Sequence, residues 1–277
     1  MNTVDIAVLG AIAGFTIFLG MPIGRLRSAS PTLRAVLNAI TIGILVFLLW
    51  DVLDHAHEPV GAALTSAAID KTTSFADFFG LAALLFVMFA VGLVGLAFYD
   101  ARVGRRVAAR ASANGEHRAG ILRLGEQPSR LAFMIAVGIG LHNFSEGLAI
   151  GQSAAAGQIS LALVLVIGFG LHNATEGFGI TAPLAGDTVR PSWGQLALLG
   201  IIGGGPTVVG TLLGQVVVND AVSVAFLALA AGSILYVIIQ LTGVALKQQH
   251  RYSLYLGVTG GVVAGFVTDF IVTAGGA

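Results

Sequence analysis

The chain reads as long apolar runs separated by short polar breaks, without the strict alternation that marks half-buried strands. Cut at its charged and proline-containing breaks, it yields eight segments near the roughly 20 residues a helix needs to cross a bilayer core of about 30 Å. They run Val4–Met21, Ala35–Asp54, Phe75–Tyr99, Leu131–Gln152, Ile159–Leu184, Trp193–Val218, Ala221–Leu246 and Leu254–Thr273. Between Trp193 and Leu246 about 50 residues pass without a basic side chain, too many for one crossing, so the turn at Asn219–Asp220 separates two spans. The pattern predicts an all-α, polytopic membrane protein of eight transmembrane helices, forming one transmembrane domain over residues 1–277.

Composition agrees with that reading and removes competitors. Hydrophobic residues make up 56% and charged residues 10%, against about 25% charged in a soluble domain. Fourteen basic residues against fourteen acidic ones leave no positive surplus for nucleic acid, so the expected surroundings are a lipid bilayer. Cysteine is absent, so any metal must be held by imidazole, carboxylate, amide or thioether groups. The first segment contains Asp5 and lacks a basic leader or a small-residue cleavage site, which predicts a retained span.

Orientation follows from the basic residues, which accumulate on the cytoplasmic side. Arg25, Arg27 and Arg34 lie in the first loop, and Arg102, Arg105, Arg106, Arg110, Arg118, Arg123 and Arg130 in the third. Arg190 lies in the fifth, Lys247 and Arg251 in the seventh, and the even loops hold only Lys71, beside Asp70 and Asp77. Both termini are therefore expected outside, in a plasma or inner cell membrane, with 100–130 as a polar cytoplasmic loop that anchors the topology. His117 and His250 fall in such loops and are expected to be solvated.

Candidate chemistry sits in a repeat. Span four contains Gly138-Ile-Gly-Leu-His142-Asn143-Phe-Ser-Glu146-Gly147, and span five contains Gly168-Phe-Gly-Leu-His172-Asn173-Ala-Thr-Glu176-Gly177. Consecutive spans cross in opposite directions, so the copies are related by a pseudo-two-fold axis in the membrane plane, which puts a site at the midplane. Within each copy His and Glu are four apart and Asn and Glu three apart, so all three project from one helical face. The alternative is polar glue between helices, but glue does not need glutamate. A mid-membrane carboxylate costs a few kcal/mol even on insertion scales, and neither segment carries a Lys or Arg to pair it. Two carboxylates and two neutral imidazoles suit a divalent transition ion: Zn²⁺ or Fe²⁺, with Mn²⁺, Cd²⁺ and Co²⁺ also compatible.

A second cluster, Asp51, Asp54, His55, His57 and Glu58, closes span two on the expected outer side. It is a candidate entry pathway for cations or an ordinary polar helix end. Asp269 in span eight is a weaker candidate near the same face. Gly203-Gly-Gly-Pro206-Thr207 is expected to break span six, where irregular backbone is tolerated if it lines a cavity or packs within protein.

At the paired His-Asn-x-x-Glu-Gly motifs the sequence resembles the ZIP (Zrt/Irt-like) family of divalent metal-ion transporters. The segment Gly232-Ser-Ile-Leu-Tyr-Val-Ile-Ile-Gln240 is similar to a family pattern in span seven. The resemblance implies that His142, Asn143, Glu146, His172, Asn173 and Glu176 are the ligands of a central metal site. It further implies a three-plus-two-plus-three bundle, often a homodimer, that moves metal toward the cytoplasm by alternating access. Two departures stand out. Gly205 precedes Pro206, and Gln240 ends the span-seven pattern, where many members have acidic residues at both places.

The expected function is therefore a divalent-metal transporter with no catalytic cofactor, the metal being its substrate. No nucleotide-binding loop is present to couple ATP, since Gly260-Gly261 lacks a following Lys-Ser/Thr. The competing readings are an intramembrane metalloenzyme, for which the Glu-x-x-His and His-Glu-x-x-His spacings are missing, and a proton or solute channel using the His–Glu pairs as a relay.

Overall fold

A computed structural model describes residues 1–26, 30–114, 121–124, 126–185, 190–216, 219–247 and 251–274. Among them there is no strand, and eight helical stretches are long and apolar enough to cross a membrane. The chain is an all-helical integral membrane protein, as its apolar runs predict. Arg27, His117, Arg118 and His250 lie outside the described residues.

The first span is a broken helix. Its first part, α1 (Thr3–Phe15), starts with a capping box: the Asn2 side chain accepts from the Asp5 N–H at 2.8 Å, and Asp5 accepts from the Asn2 N–H at 3.2 Å. At Thr16 the helix breaks, and the Thr16 hydroxyl donates to the Ala13 carbonyl at 2.6 Å. The short α2 (Ile17–Gly20) and a 3₁₀ turn, Met21–Arg25, complete the crossing.

Helix α3 (Pro31–Thr65) begins with Ser30 accepting from the Leu33 N–H at 3.1 Å and Pro31 in the first turn. It does not stop at Asp54. It passes Pro59 and ends in a π turn, Ser66–Asp70, closed by Lys71 at φ 55°. The expected end was set by the loss of apolarity, but polarity marks the limit of the lipid rather than of the helix. The alanines at 56, 62 and 63 continue it readily. Helix α4 (Phe75–Asn114) likewise overruns Tyr99 and takes in the first half of the segment expected as a loop.

Helices α5 (Gln127–Ala155) and α6 (Ile159–Thr181) are joined by three residues including Gly157 at φ 76°, a left-handed turn that makes them antiparallel neighbours. A 3₁₀ turn, Ala182–Leu184, follows α6. Helix α7 (Trp193–Gly214) is capped by Ser192, whose hydroxyl accepts from the Gln195 N–H at 3.0 Å, and it runs through Pro206 without interruption. The expected break there is thus corrected: residues 203–206 stay helical, with Gly204 packed on the Gly14 carbonyl and Gly140 of α5 beside the Ile202 carbonyl and Pro206. Helix α8 (Asp220–Lys247) opens on Asn219, whose side chain accepts from the Val222 N–H at 3.1 Å, so the turn at Asn219 does divide two spans. Helix α9 (Arg251–Ala274) completes the eight.

The helices sort into two groups. In one, α5 packs most extensively against α7, with α1, α2 and α6 around them; in the other, α3 packs on α9 and α8, and α8 on α4. Each group is sealed backbone to backbone. A Cβ on Gly14 would overlap the Gly204 carbonyl, one on Gly147 the Thr207 carbonyl, and one on Gly177 the Ile17 carbonyl. In the second group Gly43 meets the Val258 carbonyl and Gly232 the Phe89 carbonyl in the same way. Between the groups α5 packs on α8 as extensively as α1 does on α7, but through side chains: a Cβ on Gly138 would sit 3.4 Å from Ser233 and one on Gly179 3.8 Å from Thr41, both ordinary van der Waals distances. Leu45 and Leu48 of α3, Ile135 and Ile139 of α5, Ile180 of α6 and Ile234 of α8 join one apolar core across that seam. Phe79, Phe86, Val91, Val94 and Phe98 of α4 are exposed and face lipid.

A polar chain ties the groups at the end carrying the arginines. Arg130 of α5 donates to Asp100 of α4 at 3.1 Å, Tyr236 of α8 donates to the other Asp100 oxygen at 2.9 Å, and Gln240 donates to the Tyr236 hydroxyl at 2.7 Å. Gln240 is therefore occupied structurally, at a position where the resemblance leads one to look for an acid.

Candidate metal centre

Helical phase brings the two motifs together. On α5, His142, Asn143 and Glu146 are buried, and on α6 so are His172, Asn173 and Glu176, with Asn143 and Asn173 at 0% exposure. Small residues make the approach possible: Gly140 and Gly147 press α5 onto α7, and Gly177 presses α6 onto the first span.

His142 Nε2 and Glu146 Oε1 lie 3.2 Å apart, within ion-pair distance. That separation is close to the edge of a tetrahedron with bonds of about 2.0–2.1 Å, roughly 3.3 Å, so the pair is spaced as two neighbouring ligands of one ion would be. Across the helices, the Asn143 amide nitrogen donates to Asn173 Oδ1 at 2.7 Å, Glu176 Oε2 at 3.1 Å and the Gly203 carbonyl of α7 at 3.1 Å. The Asn173 amide nitrogen donates to the Ala13 carbonyl of α1 at 2.9 Å. Several buried polar atoms are left without a hydrogen-bond partner: Glu146 Oε2, Glu176 Oε1, His142 Nδ1, His172 Nε2 and Asn143 Oδ1. In a protein interior such a concentration is costly and calls for a ligand. As the side chains stand, no three His, Asp or Glu groups among the described residues ring a single point. The two half-sites meet through Asn143, and rotation of side chains would be needed to close one shell.

The entry cluster divides. Asp51 is buried. Asp54, His55, His57 and Glu58 are exposed on the half of α3 towards Thr65, where His55 Nδ1 contacts the Asp51 carbonyl at 2.9 Å. Asp51 lies one turn from Phe47, whose ring stacks on His172, so it stands near the motifs, and α3 continues about four turns beyond it instead of ending there. Asp269 of α9 is half-buried.

Three contributors were not expected from sequence. Phe47 stacks on the His172 ring, with centroids 5.5 Å apart and planes at 24°, and it fits because α9 has Gly265 where a Cβ would strike its ring. The other two are the Ala13 and Gly203 carbonyls. Phe47 precedes Asp51 by one turn of α3, a spacing that could have signalled it; main-chain acceptors leave no signal in residue identity. Gly205 presents nothing to the centre, since a Cβ there would meet only its own helix at Ile201.

At the arginine-rich end a cavity of about 160 Å³ opens between the starts of α3 and α5 and the ends of α6 and α8. Arg34, Asn38, Gln127, Leu131, Pro183 and Leu241 are among its lining. Asn38 precedes Phe47 by nine residues, about 13 Å along the helix axis, and its Oδ1 is buried without a partner.

Comparison with known families gives one match: the model described as ZIP zinc transporter fits residues 106–240, a stretch that includes α5, α6 and α7 and therefore both motifs. None of the curated proteins matches the chain.

Proposed function

Its stretch 106–240 makes this chain a member of the ZIP zinc transporter family, whose members carry divalent metal ions across membranes and are not enzymes, and from that premise we propose how it does so. The ion is held at the midplane between α5 and α6 by Glu146, Glu176, His142 and His172, with the amide oxygens of Asn143 and Asn173 as neutral donors. The observation that carries this reading is the set of buried, unpartnered oxygen and nitrogen atoms on two antiparallel motifs with no basic side chain among them. Divalent charge removes the penalty of two carboxylates in a low-dielectric interior, which hydrogen bonds alone leave uncompensated.

Asp51 and the exposed groups above it on α3 collect cations on the outer side, and the cavity at the arginine-rich end is the cytoplasmic way out. Glycine-sealed groups that meet along a side-chain seam suit alternating access, since each can shift as a body while the seam repacks. The termini then lie outside and transport runs inward. Zn²⁺ and Fe²⁺ both suit two imidazoles and two carboxylates, and a metal panel decides between them. In proteoliposomes of the purified protein, flux is expected only when a divalent transition ion is supplied. Solute or proton flux in metal-free vesicles would overturn the reading in favour of a channel.

Stoichiometry gives a separate prediction. Two divalent ions bring four positive charges, whereas Glu146, Glu176 and Asp51 supply three negative ones, and Gly205 withholds a fourth. In a low-dielectric site that imbalance is costly, so one ion per centre is expected in Zn²⁺-soaked crystals measured by anomalous scattering. Two fully occupied central peaks would refute the charge count.

A further inference from the structure

The two motifs match in sequence but not in hydrogen bonding, and the difference falls on the asparagines. Which end of each amide carries nitrogen is fixed by its neighbours. The Asn143 atom that faces the Gly203 carbonyl and Glu176 Oε2 meets acceptors, so it must be the nitrogen. The Asn173 atom that faces the Ala13 carbonyl must be nitrogen for the same reason, which leaves the Asn173 oxygen to accept from Asn143 at 2.7 Å. Asn173 therefore uses both ends of its amide within the protein. Asn143 uses only its nitrogen, and its oxygen is buried with no partner.

We infer that Asn173 is a positioning residue and not a metal ligand: it ties α6 to the Ala13 carbonyl beside the break in the first span and holds the Asn143 amide so that Oδ1 is the end left for the ion. This assignment rests on the metal-site reading above and changes its donor set from six side chains to five. It also gives the break at Thr16 a role, because movement of α1 against α6 passes through this amide to the group that aims Asn143. Truncating Asn173 leaves no orphan among its partners. Ala13 keeps the Thr16 hydroxyl at 2.6 Å, and the Asn143 nitrogen keeps Gly203 and Glu176, so the alanine variant is expected to fold.

The test uses full-length wild type, Asn143→Ala, Asn173→Ala and Asn173→Asp, each titrated with Co²⁺ and followed by its visible spectrum and X-ray absorption. Asn173→Ala is expected to keep the wild-type spectrum and number of nearest N and O atoms while binding Co²⁺ about 10-fold more weakly, the scale of a group that orients a ligand. Asn143→Ala is expected to lose one oxygen neighbour. Asn173→Asp keeps the shape but turns an acceptor toward the Ala13 carbonyl, so it is expected to bind more weakly than wild type; at a ligand position its added charge would tighten binding. A lost oxygen in Asn173→Ala, tighter Co²⁺ binding in Asn173→Asp, or unchanged affinity in both overturns the assignment with the metal site intact. Wild type that takes up no Co²⁺ overturns the metal site itself and this assignment with it.

Discussion

Replacing Glu146 or Glu176 by alanine is expected to abolish metal uptake, by more than about 100-fold, while the protein still reaches the membrane. The two effects come from the same physics. Each carboxylate is buried and has an oxygen without a partner, so it opposes insertion, and the contacts of Glu176 with Asn143 and of Glu146 with His142 offset only part of that cost. Removing it lowers the insertion cost and deletes a ligand at the same stroke. Glutamine keeps the volume and the hydrogen bond from Asn143 to position 176, but it cannot offset ionic charge, so Glu176→Gln is expected to fail as alanine does. The measurement is ⁶⁵Zn²⁺ or ⁵⁵Fe²⁺ uptake into vesicles normalised to the amount of folded protein. Wild-type rates in either alanine variant would remove the centre from the mechanism.

The second large effect is structural. Gly177→Ala places a methyl group on the Ile17 carbonyl, and because the obstacle is main chain rather than the tip of a side chain, nothing cheap can move. Overpacking against side chains costs about 1–3 kcal/mol, and here the upper end or more is expected, visible as a large drop in thermal stability in detergent. Gly95→Ala is the control: nothing lies within 4 Å of its added methyl, and alanine is the better helix former by about 1 kcal/mol. Equal melting temperatures for the two variants would contradict the sealed-backbone description of the first helix group.

The repeat itself is legible in the sequence because it is local: a helix turns residues three and four apart onto one face, so His142, Asn143 and Glu146 come together wherever that helix goes. Eight crossings are legible for a similar reason, since apolar length is read against a bilayer of fixed thickness. What escapes is whatever depends on a second element. Asp51 looked like part of a helix end because polarity resumes at that point, yet α3 runs on to Thr65 and holds Asp51 one turn from Phe47, near the motifs. Pro206 looked like a break, but α5 packed against α7 encloses that stretch and the helix passes through. Phe47 owes its place on His172 to a glycine more than two hundred residues away in sequence, and the carbonyls of Ala13 and Gly203 carry no mark in residue identity.

The pairing order of the helices also bears on how the protein can be made. Helix α5 is the least apolar of the eight crossings and carries a buried carboxylate, yet its principal partner is α7, and α3 waits for α9, the last to be synthesised. A ribosome delivering this chain in order must therefore commit the polar fourth span before the surface that shelters it exists. During that interval α6, arriving next, brings the matching motif, whose Asn173 and Glu176 bond Asn143 of α5. If each copy of the duplicated His-Asn-x-x-Glu sequence shelters the other in the lipid, a nascent chain stalled after span four is expected to be recognised and degraded sooner than one stalled after span five.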